Sequence, residues 1–186
     1  MARPIEFNKD LVLENAMKLF WLKGYESTSM ADLIEATGLT SRSMYNVFGS
    51  KNGLFKESLS KYYEGLNVPL AKLKEGKGSK AIRDYVEMIT SIEPLNGCMY
   101  VNTLSEKNSI EKNCLAMVKD HFQNLESTFK AKLVYSKKYE GFIGDPKLRA
   151  KQLVSLLQGL AVYSKMNYSL KDQKEMSLDF LNLIGV

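Results

Sequence analysis

The chain has very few of the residues that carry metal, disulfide or acid–base chemistry. Its 186 residues include two cysteines, Cys98 and Cys114, and one histidine, His121. A structural zinc site needs about four cysteine or histidine ligands, and a disulfide framework needs several cysteine pairs. The sequence therefore predicts neither kind of site, and no cofactor or metal is expected.

Long apolar runs are also missing. No stretch approaches the ~18 consecutive apolar residues that a membrane-spanning helix requires. The first ten residues carry Arg3, Glu6, Lys9 and Asp10 where a signal segment would be apolar. We therefore expect a cytoplasmic protein with no membrane partner. Residues 1–7 are predicted to be a flexible terminal arm or a disordered terminus.

Strand patterns are absent as well, whereas apolar residues recur at helical spacing along most of the chain. Hydrophobic residues make up 45% of the sequence, which is enough for a core without covalent cross-links. We predict an all-α protein of about nine helices.

Residues 28–51 predict two short helices joined by a glycine turn, followed by the start of a third helix. Thr28 or Ser29 can cap the first helix with its hydroxyl, and Gly38 is suited to end it. Thr40 can cap the second helix. The apolar side of that second helix is predicted to consist of Met44, Val47 and Phe48.

The outward side of the second helix carries hydrogen-bonding residues and no acid. These residues are Ser41, Arg42, Ser43, Tyr45 and Asn46. Ser50 can cap the next helix, whose free amides and Lys51 can approach a phosphate together. A short helix with such a side fits the major groove of DNA, so the segment is interpreted as a DNA-reading helix-turn-helix.

The net charge of +5 does not itself indicate this site. Residues 1–55 contain six Lys or Arg against six Asp or Glu, so the excess lies in the remainder of the chain. The local pattern is more informative, because residues 42–51 have two positive charges and no acid.

Residues 38–55 resemble the DNA-binding signature of the TetR family, with further matches in 16–20 and 24–29. The resemblance covers roughly residues 8 to 56. Three residues depart from the family pattern. Arg42 stands where the family often has glycine, and Asn46-Val47 stands where it often has His-Tyr, which affects the DNA sequence that would be read.

The resemblance implies a helix-turn-helix domain at 1–53 and a helical ligand-sensing and dimerisation domain at 54–186. It further implies a homodimer that binds a palindromic operator and is released by a small-molecule or electrophile inducer. The residues assigned to phosphates are Thr28, Thr40, Ser43, Tyr45 and Lys51. The residues assigned to base edges are Ser41, Arg42 and Asn46, because Arg can pair with guanine and Asn with adenine. For Thr40, a role as helix cap alone is equally open.

A ligand cavity is predicted among the central helices, lined by aromatic and flexible apolar residues with a few polar groups. Its predicted lining is Tyr62, Tyr85, Met88, Met99, Asn102, Phe122 and Tyr163. Ordinary core packing is the alternative for each of them.

Cys98 follows Gly97 at a predicted helix start, where the positive end of the helix favours a thiolate. The Gly97-Cys98 segment, with its apolar run and Glu106, is similar to a TetR branch that includes electrophile-sensing repressors. Cys98 is therefore predicted to be a reactive sensor or a small packing residue.

The dimer interface is expected on the last two helices. The residues expected there are Leu156, Gly159, Leu160, Tyr163, Phe180 and Ile184. Two other functions remain as alternatives, an enzyme built on a helical bundle and a helical adaptor that binds protein only. The sequence lacks the Glu-x-x-His pairs of di-iron bundles and has one histidine for acid–base work, which disfavours the enzyme.

Overall fold

The computed structural model describes residues 7–92, 96–166 and 168–186. The predicted terminal arm with Arg3 falls largely outside these residues. Within them the chain forms ten α-helices, one short 3-10 helix and no strand, so the all-α prediction is confirmed. The helices are α1 Lys9–Lys23, α2 Met30–Thr37, α3 Ser41–Phe48, α4 Lys51–Gly65, α5 Asn67–Glu75, α6 Gly78–Thr90, α7 Met99–Ser105, α8 Lys112–Tyr139, α9 Pro146–Tyr163 and α10 Leu170–Leu183.

α4 and α5 follow each other directly but are two separate helices. α4 ends at Gly65, and α5 begins at Asn67 with Pro69 in its first turn. Proline is tolerated there because the amides of a first helical turn have no intrahelical acceptor. Pro69 therefore lies at the start of a new helix and does not interrupt one.

The first helices form a compact head around a shared apolar core. α1 packs chiefly on α4, with Phe20 edge-to-face against Phe55 at 4.9 Å between ring centroids. Leu33 of α2 and Met44 of α3 complete the centre. We call α1–α4 the reading head.

The core of the reading head continues into later parts of the chain. Met99 and Tyr100 of α7, with Cys114 and Val118 of α8, belong to the same apolar cluster. α7 and the first turns of α8 therefore pack directly against the head.

A second core lies among α5, α6, α9, α10 and the second half of α8. Ile82, Phe129, Leu133, Leu153 and Leu181 are fully buried in it. The 28 residues of α8 span about 42 Å at 1.5 Å per residue, so this helix passes along both cores.

The proposed division between residues 53 and 54 falls inside α4, which is continuous across it. The proposed boundary therefore does not coincide with the end of a helix. In the described ranges, no helix combines the length and the apolar character that crossing a membrane would need.

Candidate nucleic-acid interface and ligand cavity

The α2–turn–α3 unit is built by local hydrogen bonds. Ser29 caps α2, and its hydroxyl and the Asp32 carboxylate satisfy each other's backbone amides at 3.1 and 2.7 Å. Hydrogen bonds from Lys23 and Ser29 hold the pKa of Asp32 well below its usual range. Gly38 ends α2 with φ of 69°, in the left-handed region that favours glycine. The turn therefore fixes the direction in which α3 leaves.

α3 presents a polar, acid-free side to solvent. Ser41, Arg42, Tyr45 and Asn46 are exposed, whereas Met44 and Phe48 are buried against the head. Because successive residues of a helix are about 100° apart, these four exposed residues form one face. The structure thus brings together every residue proposed to read base edges.

Val47 was predicted on the apolar side of α3, and this prediction is wrong. Its side chain is 36% exposed. Val47 lies at the edge of the stripe formed by Met44 and Phe48, where the head no longer covers it.

Thr40 caps α3 by accepting a hydrogen bond from the Ser43 amide at 3.1 Å, and it also donates to the Ser43 hydroxyl at 2.9 Å. The cap role is therefore real. Thr40 is exposed beside the α3 face and Ser43 is half-buried, so contact with a phosphate stays a prediction for both.

Lys51 lies at the start of α4, next to the α3 face. Ser50 caps this helix by accepting from the Gly53 amide at 3.0 Å. The Lys51 ammonium lies 4.4 Å from the centroid of the Tyr25 ring. Partial burial lowers the pKa of Lys51, and the nearby carboxylate of Glu106 acts in the opposite direction. The ammonium is thus held in place by an aromatic ring at the point where a phosphate would meet the helix start.

Thr28 does not belong to this surface, which corrects its predicted phosphate role. It is fully buried, at 0% exposure, and its hydroxyl donates to the Gly24 carbonyl at 2.6 Å. The hydroxyl closes the turn between α1 and α2 instead of facing solvent.

A cavity of about 290 Å³ lies between the reading head and the second core. Its walls come from α1, α4, α6, α7, α8 and α9, with Gln173 of α10. Most of the lining is apolar, including Met17, Trp21, Ile89, Val101, Leu125 and Leu157. No carboxylate lines it among the described residues.

Four of the eight proposed ligand residues lie together around this cavity. They are Tyr62, Tyr85, Cys98 and Phe122. The Tyr62 hydroxyl donates to the Cys98 thiol at 3.3 Å, and burial raises the pKa of both tyrosines.

The other four proposed ligand residues are elsewhere, so their placement is corrected. Met88 is half-buried on α6, and Met99 is packed in the core of the head. Asn102 is buried, and its amide donates to the Asn96 carbonyl. Tyr163 is exposed and packs on Tyr168 at 4.7 Å between ring centroids.

His121 lines the cavity, although it was not among the predicted ligand residues. It is only 9% exposed and lies between the rings of Tyr63, Tyr100 and Phe122. Burial lowers the pKa of His121 to about 4, so the imidazole is neutral at pH 7. Trp21 of α1 also lines the cavity and was not predicted there. No local pattern marks either residue, because their neighbours come from distant helices.

The expected dimer surface divides into exposed and buried residues. Gly159 and Tyr163 are exposed, and Leu156 and Phe180 are half-buried. Leu160 and Ile184 are buried in their own chain, so their assignment to an interface is corrected. The exposed apolar residues of the last helices include Val162, Met176 and Leu183.

Comparison with known proteins agrees with this geometry. The model of the bacterial regulatory proteins of the tetR family matches residues 12–58, which is the reading head from α1 into α4. The uncharacterized HTH-type transcriptional regulator YezE of Bacillus subtilis (strain 168) is 31% identical over 135 residues, covering 69% of this chain and 70% of YezE.

The HTH-type transcriptional repressor ComR of Escherichia coli (strain K12) is 40% identical over 108 residues, or 54% of this chain and 51% of ComR. The match thus spans about half the length of ComR. A solved structure of the TetR family transcriptional regulator CifR, as a cysteine mutant complexed with a 26bp double-strand operator DNA, has a TM-score of 0.82. It is 21% identical, with 97% of this chain and 98% of CifR covered, so the likeness concerns the fold.

These relatives are regulators by name, and none of the three is an enzyme. The family model covers the segment whose geometry suits DNA, and the match to YezE extends over more than two thirds of both chains. The chain therefore belongs to the tetR family of bacterial regulatory proteins.

Proposed function

We propose that the protein is a cytoplasmic, ligand-responsive transcriptional repressor. It binds a palindromic operator as a homodimer, and a small molecule in the central cavity releases it. The observation that carries the proposal is the exposed, acid-free face of α3 next to Lys51 at the start of α4.

The DNA side of the proposal is supported by the chemistry of that face. Arg42 and Asn46 can pair bidentately with guanine and adenine in the major groove. Lys51 and the free amides at the start of α4 suit a phosphate. One face of two turns covers few base pairs, so a specific site needs two half-sites and a two-fold dimer.

The dimer is supported by the apolar side chains that α9 and α10 leave exposed. Val162, Met176 and Leu183 lie on these helices, together with Gly159. A β-carbon at Gly159 would meet nothing within 4 Å, so the surface around it is open for a second copy of the chain. ComR, a repressor by name, is one relative that supports repression rather than activation.

The ligand side of the proposal is supported by the cavity lining. A volume of about 290 Å³ is at the lower end of small-molecule pockets, which run from about 300 to 1,000 Å³. The lining is mostly apolar, and its hydrogen-bonding groups include Tyr62, His121 and Gln173. It also contains Lys61, whose ammonium forms ion pairs with Asp10 and Glu64. Because no carboxylate faces the space in the described part of the chain, a neutral aromatic or amphipathic compound fits better than a cation.

A gel-shift assay with the DNA upstream of the protein's own gene tests the DNA-binding part. We expect a salt-sensitive complex that random DNA of equal length does not displace. An adaptor that binds only protein, or an enzyme, would give no such complex, and that result would refute the proposal.

A thermal-shift screen of neutral aromatic compounds tests the ligand part. The variant Ala161→Phe places a ring in the cavity from α9 and should abolish stabilisation by any hit. Ala131→Phe, on the exposed side of α8, is the matched control and should respond like the parent. Stabilisation that persists in Ala161→Phe would place the ligand outside this cavity.

Covalent modification of Cys98 is a second way in which the protein could be released from DNA, and it is tested separately. The Cys98 thiol faces the cavity, whereas burial raises the pKa of the Cys114 thiol to about 11 and makes that residue a poor competitor. Alkylation that abolishes DNA binding of the parent but not of Cys98→Ser would support a sensor role. Resistance of Cys98 to alkylation in the folded protein would leave reversible binding alone.

A further inference from the structure

The C-terminal end of α1 is bonded to both ends of the α7 segment. Before α7, the Trp21 indole donates to the Gly97 carbonyl at 3.0 Å, and the Asn96 amide donates to the Leu22 carbonyl at 2.9 Å. After α7, Glu106 accepts hydrogen bonds from the turn that follows α1. α7 therefore bridges the last turn of α1 and the turn that leads to α2.

Glu106 makes the closer of these two attachments. Its carboxylate accepts from the Tyr25 amide at 2.7 Å and, more weakly, from the Glu26 amide at 3.4 Å. Gly24 has φ of 83°, and a β-carbon there would overlap the Glu106 carboxylate. Glycine at this position thus permits both the backbone turn and the approach of the acid.

The turn held by Glu106 supports the proposed phosphate contact. The Tyr25 ring packs on Phe55 at 4.8 Å and on Phe20 at 6.1 Å between centroids, and the Lys51 ammonium lies over it. A shift of the Tyr25 backbone would move the ring on which Lys51 rests. Glu106 therefore acts on Lys51 through two intermediate contacts, the Tyr25 amide and the Tyr25 ring.

The same α7 segment forms a wall of the cavity. Gly97, Cys98 and Val101 line it, and Trp21, which bonds to Gly97, lines it from α1. A molecule that displaces this wall should also disturb the reading head, because hydrogen bonds join both ends of the α7 segment to α1 and the turn after it.

We propose that Glu106 is a positioning residue for DNA binding, which fixes the turn after α1 and so places Lys51, and that α7 makes this contact sensitive to the cavity. The proposal rests on the proposed function. Glu106 lies outside the reading head but controls the position of Lys51 within it.

Removal of the Glu106 carboxylate distinguishes a positioning role from a direct electrostatic effect on Lys51. The two explanations predict opposite changes in the affinity for DNA. Loss of a negative charge near Lys51 would by itself strengthen binding to phosphates. Loss of charge-assisted hydrogen bonds should release the turn, and we expect Glu106→Ala to weaken operator binding about tenfold.

Two further variants define the effect. Glu35→Ala removes an exposed carboxylate from α2 of the reading head and should leave affinity unchanged or higher. Glu106→Gln keeps an oxygen that can accept from the Tyr25 amide and should recover most of the loss. Unchanged or tighter binding by Glu106→Ala would overturn the proposal.

A measurement without DNA keeps this inference distinct from the proposed function. Hydrogen exchange of the Tyr25 and Glu26 amides in the free protein should speed up in Glu106→Ala, while amides in the middle of α8 exchange as in the parent. Failure of the parent to bind upstream DNA would refute the proposed function. Unchanged exchange at these two amides would refute the role of Glu106.

A double-mutant cycle tests the link to the cavity. Ala161→Phe fills the cavity and should weaken DNA binding of the parent. In the Glu106→Ala background it should cost no more than about twofold further, because coupled residues are not additive. Fully additive losses, or no effect of Ala161→Phe in the parent, would overturn the coupling through α7.

Discussion

Arg42 and Lys51 both lie beside the proposed DNA surface, and the fold holds them differently. Arg42 is exposed on α3 and free to reach into a groove. Lys51 is half-buried at the start of α4 with its ammonium over the Tyr25 ring. This difference suits Arg42 to reading a base and Lys51 to holding the backbone of DNA.

Substitution of the two residues should therefore have different consequences. Arg42→Ala should remove about 1–3 kcal/mol of discrimination at one base position and leave random DNA little affected. Lys51→Ala should weaken operator and random DNA alike, because a phosphate contact carries no sequence information. Competition binding with single-base operator variants measures both. Equal losses on operator and random DNA for Arg42→Ala would contradict a base-reading role.

Because of His121, the free energy of unfolding should decrease as the pH is lowered below 7. Burial lowers its pKa to about 4, below the ~6.5 expected in the unfolded chain, so the unfolded state binds the extra proton first. The neutral His121 imidazole therefore makes its full contribution to the free energy of unfolding above about pH 6.5. This contribution is lost as the pH falls toward 4. From pH 7 to pH 5 the expected loss is about 2 kcal/mol.

Urea unfolding at the two pH values measures this loss at fixed protein concentration. His121→Phe keeps a ring among Tyr100 and Phe122 but cannot titrate, so its stability should fall less by that amount. The same pH dependence in both proteins would show that other groups cause it.

At the level of elements, α9 has one side in its own core and one side free for a second copy. Leu153 and Leu160 are buried, whereas Gly159 and Val162 are exposed. A mid-helix glycine costs about 1 kcal/mol relative to alanine, and close approach of another helix would compensate for that cost.

Gly159→Arg should therefore prevent dimerisation without destabilising the monomer, since no atom lies within 4 Å of a β-carbon there. Sedimentation velocity at micromolar concentration should show a monomer. Gly159→Ala adds only a methyl group at the same position, so it should weaken the dimer less than Gly159→Arg does. A dimer formed by Gly159→Arg would exclude this face.

For the molecule as a whole, the distribution of charge predicts a shallow salt dependence of DNA binding. The net charge of +5 comes from outside residues 1–55, which are neutral overall. A dimer that uses Lys51, with or without Arg42, from each protomer should give a slope of log K against log salt of about −2 to −4.

Filter binding at several salt concentrations measures this slope, and Lys51→Ala should make it shallower by about 2 units per dimer. A slope near −8 in the parent would mean that lysines of the later helices also contact DNA.

The sequence by itself determined the helix-turn-helix and the helical class. Ser29, Gly38, Thr40 and Ser50 act through contacts three or four residues away, so their caps and turns can be recognised from spacing alone. The exposed side of α3 followed from the same short-range periodicity. The start of α9 at Asp145-Pro146 is local in the same way, since the Asp145 side chain accepts a hydrogen bond from the Lys147 amide two residues away.

Only the tertiary structure decided which residues share a cavity and which face solvent. Thr28 was predicted to contact a phosphate but is buried, and Val47 was predicted on the apolar side of α3 but is exposed. Burial depends on which surfaces the neighbouring helices cover. The bonds from Trp21 to Gly97 and from Tyr25 to Glu106 join residues 76 and 81 positions apart. No periodic pattern encodes such pairs, because they form only when α1 and α7 have packed on α4.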